Sequence, residues 1–563
     1  MAFQLSPGVN VSEVDLTTVV PSVLTTAGAF AGSFQWGPAN KITLVDSEIT
    51  LAKTFGEPDS NTAISFFTAA NFLSYGNNLS LVRAVGPSSN NAVDGPDPIR
   101  ILNEEDYQYN HLSPTTDAYG AVCARYPGAL GNSIEVSICA NTSLFSTWSY
   151  SSYFPSAPGT SDYVAAVGGA DDEMHIVIID AGGAFTGTAG TVLETFGFVS
   201  KASDAVNQND GSSNHYKQVV FNKSKYVYAG NPMGYQTALA TWNKPAIGNT
   251  FASLPEIFTT RLTNGSDEPA NQASLEQAYA QFSNKETTDV SLILTGNASV
   301  AVQQYVIDNV ANSRKDCIAF ISPPSSAVVN QSGSETSNIT TWLGSLARSS
   351  SYVVSDSGWK YQFDKYNNVY RWVPLNGDVA GLCVYTDSVR DPWFSPAGFN
   401  RGSVKNAIKL AWNPNKTQRD VLYNGGVNPV VTFPGQGTVL FGDKTLQSKP
   451  SAFDRINVRR LFIILEKTIA RAARYSLFEL NDEFTRAQFI SLVTPYLRDI
   501  QGRRGITDFK VVCDNTNNTQ QVIDSNQFVG DIYIKPARSI NFIQLNFVAV
   551  GTGVDFNTIV GAV

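Results

Sequence analysis

The residue types that most often carry acid–base or metal chemistry are scarce in this sequence. Its three histidines, His111, His175 and His215, lie in three different polar stretches, and none has a partner residue at the spacing that such chemistry requires. Zinc sites and general acid–base pairs both need partner side chains at defined positions. The sequence therefore predicts no catalytic residue, no metal ligand and no bound cofactor.

Three other stretches match ligand-binding motifs only in part. The glycine-rich residues 182–190 (GGAFTGTAG) lack the Gly-Lys-Ser/Thr ending that would place a lysine on a phosphate. Residues 442–445 (GDKT) have the lysine without the glycine loop before it. The triplet Asp171, Asp172 and Glu173 fits a solvated loop, with a divalent-ion site as the alternative. We interpret the glycine-rich stretch and the acidic triplet as loops.

The overall charge argues against nucleic acid as a direct partner. The chain has 39 basic and 48 acidic side chains, a formal net charge of −9. Charged residues make up only 15% of the 563 residues, whereas glycine, serine, threonine and asparagine are plentiful. This composition fits a surface largely covered by other copies of the same chain, and it also fits a β-rich protein with polar loops.

Cysteine spacing and hydropathy argue against two further classes of protein, disulfide-linked proteins and membrane proteins. Cysteines 123, 139, 317, 383 and 513 form no CxxC pair and have no histidine nearby, which predicts reduced thiols in the core. No stretch reaches the ~18 consecutive apolar residues of a membrane helix, and the start of the chain lacks the pattern of a signal peptide. We therefore expect no membrane insertion.

A basic cluster is the one unusual charge feature of this acidic chain. It consists of Arg455, Arg459, Arg460, Arg471 and Arg474. The apolar residues of the same stretch recur at helical spacing, which predicts one buried face and places the arginines on the solvent side. The cluster is either an ordinary solvated helix face or a surface that docks on acidic patches of other subunits. In the second case, charge reversal at Arg459 and Arg460 should alter assembly more than monomer stability.

Two helices and three strands are predicted around this cluster, between residues 453 and 550. The first helix begins near Ile456; Asp482 is a cap-type residue that opens the second helix, and Gly502 ends it. The apolar period then changes from 3.6 to 2, which predicts strands around residues 509–513, 531–535 and 543–547. Helices on one face of such a sheet make a compact α+β domain.

Both ends of the chain carry apolar residues in extended stretches. At the start these are Val9, Val11, Val14 and Leu16, and at the end they are Val554, Phe556, Ile559 and Val560. We interpret both stretches as arms that add as strands to the sheet of a neighbouring subunit. For the first stretch, an edge strand folded back on its own domain is the alternative.

The sequence between the arms predicts further domains. Residues 26–85 alternate between strand and helix patterns, and residues 290–323 form one strand–helix–strand unit, expected to be a right-handed parallel crossover. Residues 88–264 are polar and strand-like. We interpret them as a β-rich insert in a discontinuous α/β domain.

Several long motifs, in their order along the chain, resemble the contractile tail sheath proteins of long-tailed bacteriophages. They are SPGV, FQWGPA and TFGEP near the start, WKYQFDKYNNVYRWVPL, DVAGLC, SPAGFNRG and LFGDKT in the middle, and FDRINVRRLF, FELND, VVCDNTNNT and IKPARSINFIQLNFVAVGTG near the end. The match covers both ends and most of the chain between them. One departure is the short link over residues 86–117, where some relatives carry a large inserted outer domain.

The resemblance implies a structural protein and not an enzyme. In that family, subunits form six-fold rings that stack around a tail tube, and the stack shortens to drive the tube through the host envelope. The implied partners are neighbouring sheath subunits, the tail tube protein, and the baseplate and tail terminator proteins. The implied location is the tail sheath of the virion, after assembly in the host cytoplasm. The alternatives are another tail or baseplate structural protein, or an α/β enzyme built on residues 290–323.

The expected architecture is a multidomain chain of α/β and α+β class. Its parts are an N-terminal arm (1–23) that belongs to the inner domain, a middle α/β domain in two pieces (24–87 and 265–414), an outer β-rich inserted domain (88–264), an inner α+β polymerisation domain (415–550) and a C-terminal arm (551–563). The basic cluster is then a candidate for docking on the tube or on neighbouring subunits.

Overall fold

A computed structural model describes residues 24–111, 120–231, 240–541, 543 and 544. The chain divides into two compact units, Met1–Glu479 and Leu480–Val563. The strands are β1 (Gly28–Gly32), β2 (Thr43–Val45), β3 (Leu79–Arg83), β4 (Val122–Ala124), β5 (Ile134–Cys139), β6 (Glu173–Asp180), β7 (Thr191–Ser200), β8 (Val227–Ala229), β9 (Phe258–Arg261), β10 (Leu292–Leu294), β11 (Ile318–Ile321), β12 (Val353–Asp356), β13 (Trp359–Asp364), β14 (Val369–Pro374), β15 (Lys409–Leu410), β16 (Val427–Asn428), β17 (Val430–Phe433), β18 (Gly437–Leu440), β19 (Ile506–Val512) and β20 (Asp531–Pro536).

The helices are α1 (Glu48–Phe55), α2 (Ala63–Leu73), α3 (Glu104–Asp106), α4 (Asp162–Ala166), α5 (Tyr216–Lys223), α6 (Gln272–Ala280), α7 (Val300–Tyr305), α8 (Asn312–Arg314), α9 (Ser325–Val328), α10 (Glu335–Leu346), α11 (Asn376–Val389), α12 (Lys416–Asn424), α13 (Ile456–Ala473), α14 (Glu483–Gly502) and α15 (Gln520–Asp524). A π-helical segment, Val306–Ala311, joins α7 to α8. Together these three segments form the helix that was predicted between β10 and β11.

A seven-stranded sheet forms the centre of the first unit. Its strand order is β16-β12-β11-β10-β1-β3-β2, and every neighbouring pair runs parallel except β2 with β3. The parallel pairing predicted for β10 and β11 is confirmed. Strands β1, β10 and β11 are buried along their whole length, as a parallel sheet with helices on both faces requires.

Alternate residues of each central strand point into two separate apolar cores. In β10, Leu292 and Leu294 pack with residues of α2, α11 and α13, whereas Ile293 packs with residues of α6, α7 and α10. Helices α2 and α11 lie close together at Gly377. A Cβ atom at this position would lie 2.5 Å from the carbonyl oxygen of Thr68. The mixed α/β class predicted from the sequence is therefore present in this unit.

The described residues between 88 and 264 form antiparallel sheets of their own within the first unit. One is four-stranded, in the order β7-β6-β5-β9, and the other pairs β4 with β8. The chain enters and leaves this region side by side, since Asn90 N donates to Ser266 O at 3.2 Å and Ser266 N donates to Asn90 O at 3.1 Å. An inserted segment requires that its two ends lie close together, as they do here. The limits of the insert at residues 88 and 264 stay a prediction.

The division between the two units falls between α13 and α14. Helix α13 lies in the unit Met1–Glu479 and α14 in the unit Leu480–Val563, whereas the predicted inner domain, 415–550, contains both. Both helices were predicted from the apolar spacing, and both are confirmed.

The second unit combines α14 with a two-stranded antiparallel sheet, β19-β20. The side chain of Asp482 caps α14 by accepting from Thr485 N at 2.8 Å, as its residue type predicts. Pro495 lies inside the helix. Two of the three predicted strands are confirmed, and most of the third, around 543–547, lies outside the described residues.

Deleting residues 88–264 and joining the ends with a short linker should leave a folded chain, because Asn90 and Ser266 are hydrogen-bonded neighbours. Trp36 will then lose its edge-on contact with the ring of Tyr126, 5.4 Å away, and become exposed. Adding Trp36→Ser should therefore improve the solubility of the deletion variant. Circular dichroism and thermal unfolding measure folding, and the soluble fraction after centrifugation measures solubility, with the full chain as control. Failure of both variants to fold would contradict the predicted limits of the insert.

Candidate assembly interface

Most arginines of the predicted basic cluster bind partners within their own chain. Arg460 is 3% exposed and forms a two-pronged ion pair with Asp387 of α11, with N–O distances of 2.8 and 2.7 Å. The same guanidinium donates to the carbonyl oxygen of Cys383 at 3.3 Å. The pair is buried on both sides, and it joins α13 to the helix that covers one face of the central sheet.

Arg459 is buried between two aromatic rings. Its guanidinium carbon lies 3.9 Å from the ring centre of Phe453 and 4.3 Å from that of Tyr352, and Nη1 donates to the Tyr352 hydroxyl at 3.1 Å. Arginine suits such a position because its planar cation stacks on aromatic faces and is weakly hydrated. The predicted solvent-side placement of Arg459 and Arg460 is therefore wrong.

The reason for this error is that apolar periodicity identifies only one buried face of a helix. The partners that bury the other face are Asp387 and Tyr352, which lie 73 and 107 positions away in the sequence. No local pattern could have indicated them. The expectation that charge reversal at Arg459 and Arg460 alters assembly more than monomer stability rested on that placement. In the buried sites found here, each reversal would leave an unpaired charge and should destabilise the monomer as well.

The remaining three arginines of the cluster differ in exposure. Arg455 is half-buried and donates to the Tyr423 hydroxyl at 2.6 Å. Arg471 and Lys467 both bind Asp289, with the Lys467 ammonium 3.0 Å from the carboxylate. Burial opposes ionisation of Asp289, but the two cations outweigh it and lower the pKa of that carboxyl. Arg474 is exposed, so it is the member of the cluster with the most accessible side chain.

The predicted arm residues lie outside the described residues. These are Val9, Val11, Val14 and Leu16 at one end of the chain and Val554, Phe556, Ile559 and Val560 at the other. Within the described part of the second unit, β19 and β20 pair only with each other, and most of the predicted third strand lies outside that part. Open edges are where an added strand forms main-chain hydrogen bonds.

The acidic triplet is not the solvated loop that the sequence indicated. Asp172 is fully buried and accepts from Ser161 N at 2.7 Å, Ser161 Oγ at 2.9 Å and Ser200 Oγ at 2.5 Å. Glu173 begins β6. These donors hydrogen-bond both oxygens of the buried carboxylate. Among the described residues, no group of histidine, cysteine and acidic side chains has the geometry of a metal site.

The glycine-rich residues 182–190 form the loop between β6 and β7, as predicted. Their backbone N–H groups are turned toward a carboxylate of the same chain. Asp180 accepts from Ala184 N, Phe185 N and Thr186 N at 3.0, 2.9 and 2.9 Å. The Asp180 carboxylate thus occupies the place where a phosphate-binding loop would hold its ligand.

Two of the histidines have structural partners. His175 is buried, stacks on Phe154 with ring centres 4.2 Å apart, and accepts at Nδ1 from Phe198 N at 3.1 Å. Burial lowers the pKa of His175. Burial also lowers the pKa of His215 to about 4, and its ring bonds to the Asn243 side chain at 2.9 Å. Both rings are therefore neutral at pH 7 and serve packing.

The crevice at the carboxyl ends of the parallel strands is filled by the chain itself. In open α/β sheets this crevice is the usual ligand site. Here Asn376, the first residue of α11, exchanges two hydrogen bonds with the backbone of Gly296 at 2.9 and 2.8 Å. Its own N–H donates to Ser322 Oγ at 3.1 Å, and Ser322 donates to Asp356 at 2.6 Å. Burial raises the pKa of Asp356 to about 8.

The cysteines are confirmed as buried free thiols. Burial raises the pKa of Cys317 and of Cys383 to about 12, so both are protonated at pH 7. In the part of the chain that the structure describes, no helix combines the length and the apolar character of a membrane span.

Three family models match the chain. They are described as the N-terminal region of domain III of the tail sheath protein Gp18 (residues 25–84), the phage tail sheath protein central domain (270–446) and the phage tail sheath C-terminal domain (448–549). Residues 85–269 lie between the first two matches.

Relatives with the name tail sheath protein align with nearly the whole chain. That of Vibrio phage KVP40 is 36% identical, with 99% of this chain and 100% of the relative covered. That of Enterobacteria phage T4 is 34% identical, with 99% of each covered. The alignment with the Vibrio phage relative spans 679 positions, 116 more than the 563 residues of this chain, so at least 116 residues of the relative have no counterpart here. Insertions in that relative therefore account for the difference.

Solved structures share the fold at low sequence identity. The sheath tail protein of Listeria innocua has a TM-score of 0.55 at 13% identity, with 92% of this chain and 93% of that chain covered. The sheath complex of an extracellular contractile injection system, PVC, in its contracted state has a TM-score of 0.51 at 12% identity, with 99% and 100% covered.

Arg460→Ala should destabilise the first unit by about 3–5 kcal/mol, because it leaves the Asp387 carboxylate buried without its cation. Arg474→Ala, at the exposed arginine of the same cluster, should change stability by less than about 0.5 kcal/mol. Denaturant unfolding followed by circular dichroism measures both.

The double variant Arg460→Met with Asp387→Leu separates the ion pair from the packing around it. It should recover most of the lost stability, since replacing both charges by apolar groups removes the unpaired carboxylate. Equal stability of the Arg460→Ala and Arg474→Ala variants would contradict the structural role of Arg460.

Proposed function

Since this chain belongs to the family of phage tail sheath proteins, we propose that it is the structural subunit of a contractile tail sheath. In this proposal the subunits assemble as stacked six-fold rings around the tail tube. The stack then contracts and drives the tube through the host envelope during genome delivery. The observation that carries the proposal is the alignment with the Vibrio phage tail sheath protein, at 36% identity over 99% of this chain.

The family is one of structural proteins and not of enzymes. The partners that we propose are neighbouring sheath subunits, the tail tube protein, and the baseplate and tail terminator proteins. The location is the virion tail, after assembly in the host cytoplasm. Residues 88–264 are proposed to face outward as the outer domain. Arg474 is the residue of the basic cluster that we propose for docking on the tube or on a neighbouring subunit.

The linkage between subunits is proposed to rest on the two arms. An arm strand that adds to an open edge of β19 or β20 in a neighbour gains main-chain hydrogen bonds, and its alternate apolar side chains set the register. Fixing the backbone of an arm costs about 1–2 kcal/mol per residue, so one arm alone binds weakly. Several arms acting together in rings and stacks bind much more tightly, which makes assembly cooperative.

The energy of contraction is proposed to come from two packings of the same subunits that differ in contact free energy. Neither the glycine-rich loop nor the sheet crevice is open to a nucleotide, because Asp180 and Asn376 occupy them. A few kcal/mol per subunit, added over a long stack, makes the shortening effectively irreversible.

Deleting residues 551–563 should leave a folded, soluble monomer that cannot form long sheaths, since the deleted residues have no proposed partner in their own subunit. A length-matched control replaces only Val554, Phe556, Ile559 and Val560 by serine, and it should have the same effect. Negative-stain electron microscopy measures polymer length. Polymers of normal length from either variant would overturn the arm mechanism.

Purified tails should contract without nucleotide. The trigger is mild denaturant in the presence of a chelator, and the length of each sheath is measured by electron microscopy. Tails kept in buffer without denaturant are the control. If shortening occurs only after a nucleotide and a divalent ion are restored, the energy does not come from subunit packing.

A further inference from the structure

In the hairpin β13–β14, polar side chains are buried and several aromatic side chains are exposed, which is the reverse of the usual arrangement. In an antiparallel sheet packed on a core, apolar residues normally point inward and polar residues outward. In β13, Lys360, Gln362 and Asp364 are at most 3% exposed. Phe363 between them is 45% exposed.

Each buried polar residue of β13 has a specific partner. The Lys360 ammonium lies 2.8 Å from Asp378 of α11, and both side chains are fully buried. Gln362 accepts from the Asn71 side chain of α2 at 2.8 Å, and the strand pairs with β14 along its whole length. The orientation of the strand is therefore fixed from inside, and Tyr361 and Phe363 are held on the outer face.

Four aromatic side chains form this outer face, which we term the aromatic face: Tyr361, Phe363, Tyr370 and Trp372. Tyr361 lies directly opposite Trp372, and Phe363 opposite Tyr370. The ring centres of Tyr361 and Trp372 are 4.7 Å apart, those of Phe363 and Tyr370 are 5.2 Å apart, and those of Tyr361 and Tyr370 are 5.5 Å apart. Tyr370 is 53% exposed.

A surface of this kind is expected at the centre of a protein interface. Tyrosine and tryptophan dominate the binding energy of interfaces, and each aromatic side chain can bury roughly 150–250 Å². The exposed parts of the four rings amount to on the order of 300 Å². A standard interface buries ~800 Å² on each partner, so the aromatic face supplies the middle of an interface and not all of it.

The charge of the face indicates the partner. The cation that lies over these rings is Lys409 of β15, whose ammonium is 5.0 Å from the ring centre of Tyr361 and 5.6 Å from that of Trp372. The chain as a whole has nine more acidic than basic side chains. A second copy of the chain therefore carries a net negative charge, opposite in sign to the lysine at the aromatic face.

We propose that the aromatic face is a contact between sheath subunits, and that its occupant is a second copy of this chain. This inference rests on the proposed function, because a sheath is a polymer in which copies of this chain contact each other. It adds a side-chain contact in the first unit to the strand exchange proposed for the arms.

The test compares three variants of the full chain with the wild type. Tyr370→Glu should raise the concentration needed for self-association by about tenfold or more, because a charge replaces an aromatic anchor. Tyr370→Phe keeps the ring and should associate as the wild type does. Tyr153→Glu is the matched control, since Tyr153 is 55% exposed and lies in the predicted insert. Sedimentation velocity measures association, and thermal unfolding checks that each variant is folded.

A photo-crosslinker at position 370 identifies the occupant. Benzoylphenylalanine in place of Tyr370, in assembled tails, should give a product with the mass of two chains. Crosslinking to the tube or to any other protein, or no crosslinking at all, would overturn the proposed occupant.

Failure of this inference is distinguishable from failure of the proposed function. If the wild type self-associates and Tyr370→Glu associates equally well, the aromatic face is not a subunit contact, while the sheath function stands. If the wild-type chain does not associate at any concentration and forms no tails, the proposed function and this inference both fail.

Discussion

The constraint on which the first unit depends is that a parallel sheet must be covered on both faces. Strands β1, β10 and β11 are buried throughout, and helices from distant parts of the chain supply the cover. The covering elements also contain charged residues that are buried. Lys360–Asp378 and Arg460–Asp387 are both buried ion pairs, and each includes a residue of α11. Helix α11 therefore joins the hairpin β13–β14 to α13 while it closes one face of the sheet.

This cover also explains why an α/β sheet in this chain is not an enzyme site. The first residue of α11, Asn376, fills the crevice that open α/β sheets use for ligands, and its amide satisfies the backbone of Gly296. Asp180 similarly occupies the loop that resembled a phosphate site. At both places the polar side chains bind groups of their own chain. The outward features are an aromatic face and exposed apolar side chains, which suit assembly with other chains.

Local patterns in the sequence predicted the elements well and the long-range charges poorly. The helices α13 and α14, the cap at Asp482 and the strands β19 and β20 follow from spacing and residue type, which depend on neighbours in the chain. The burial of Arg459 and Arg460 depends on Tyr352 and Asp387, which no local pattern connects to them. Asp172 was misjudged for the same reason, since its donor Ser200 comes from another strand. The family motifs were recognisable because each is itself a local pattern.

The buried pairs also limit where a change of packing can occur during the proposed contraction. Separating Arg460 from Asp387 would leave a buried charge unpaired, at a cost of about 3–5 kcal/mol. That cost is comparable to the few kcal/mol per subunit that the contraction is proposed to release, so breaking the pair would consume most of the gain. The pairs that hold α11, α13 and β13 together should therefore persist in both states. The contacts that change are then those on the surface of the subunit, where the aromatic face can be covered differently in each state without unfolding the core.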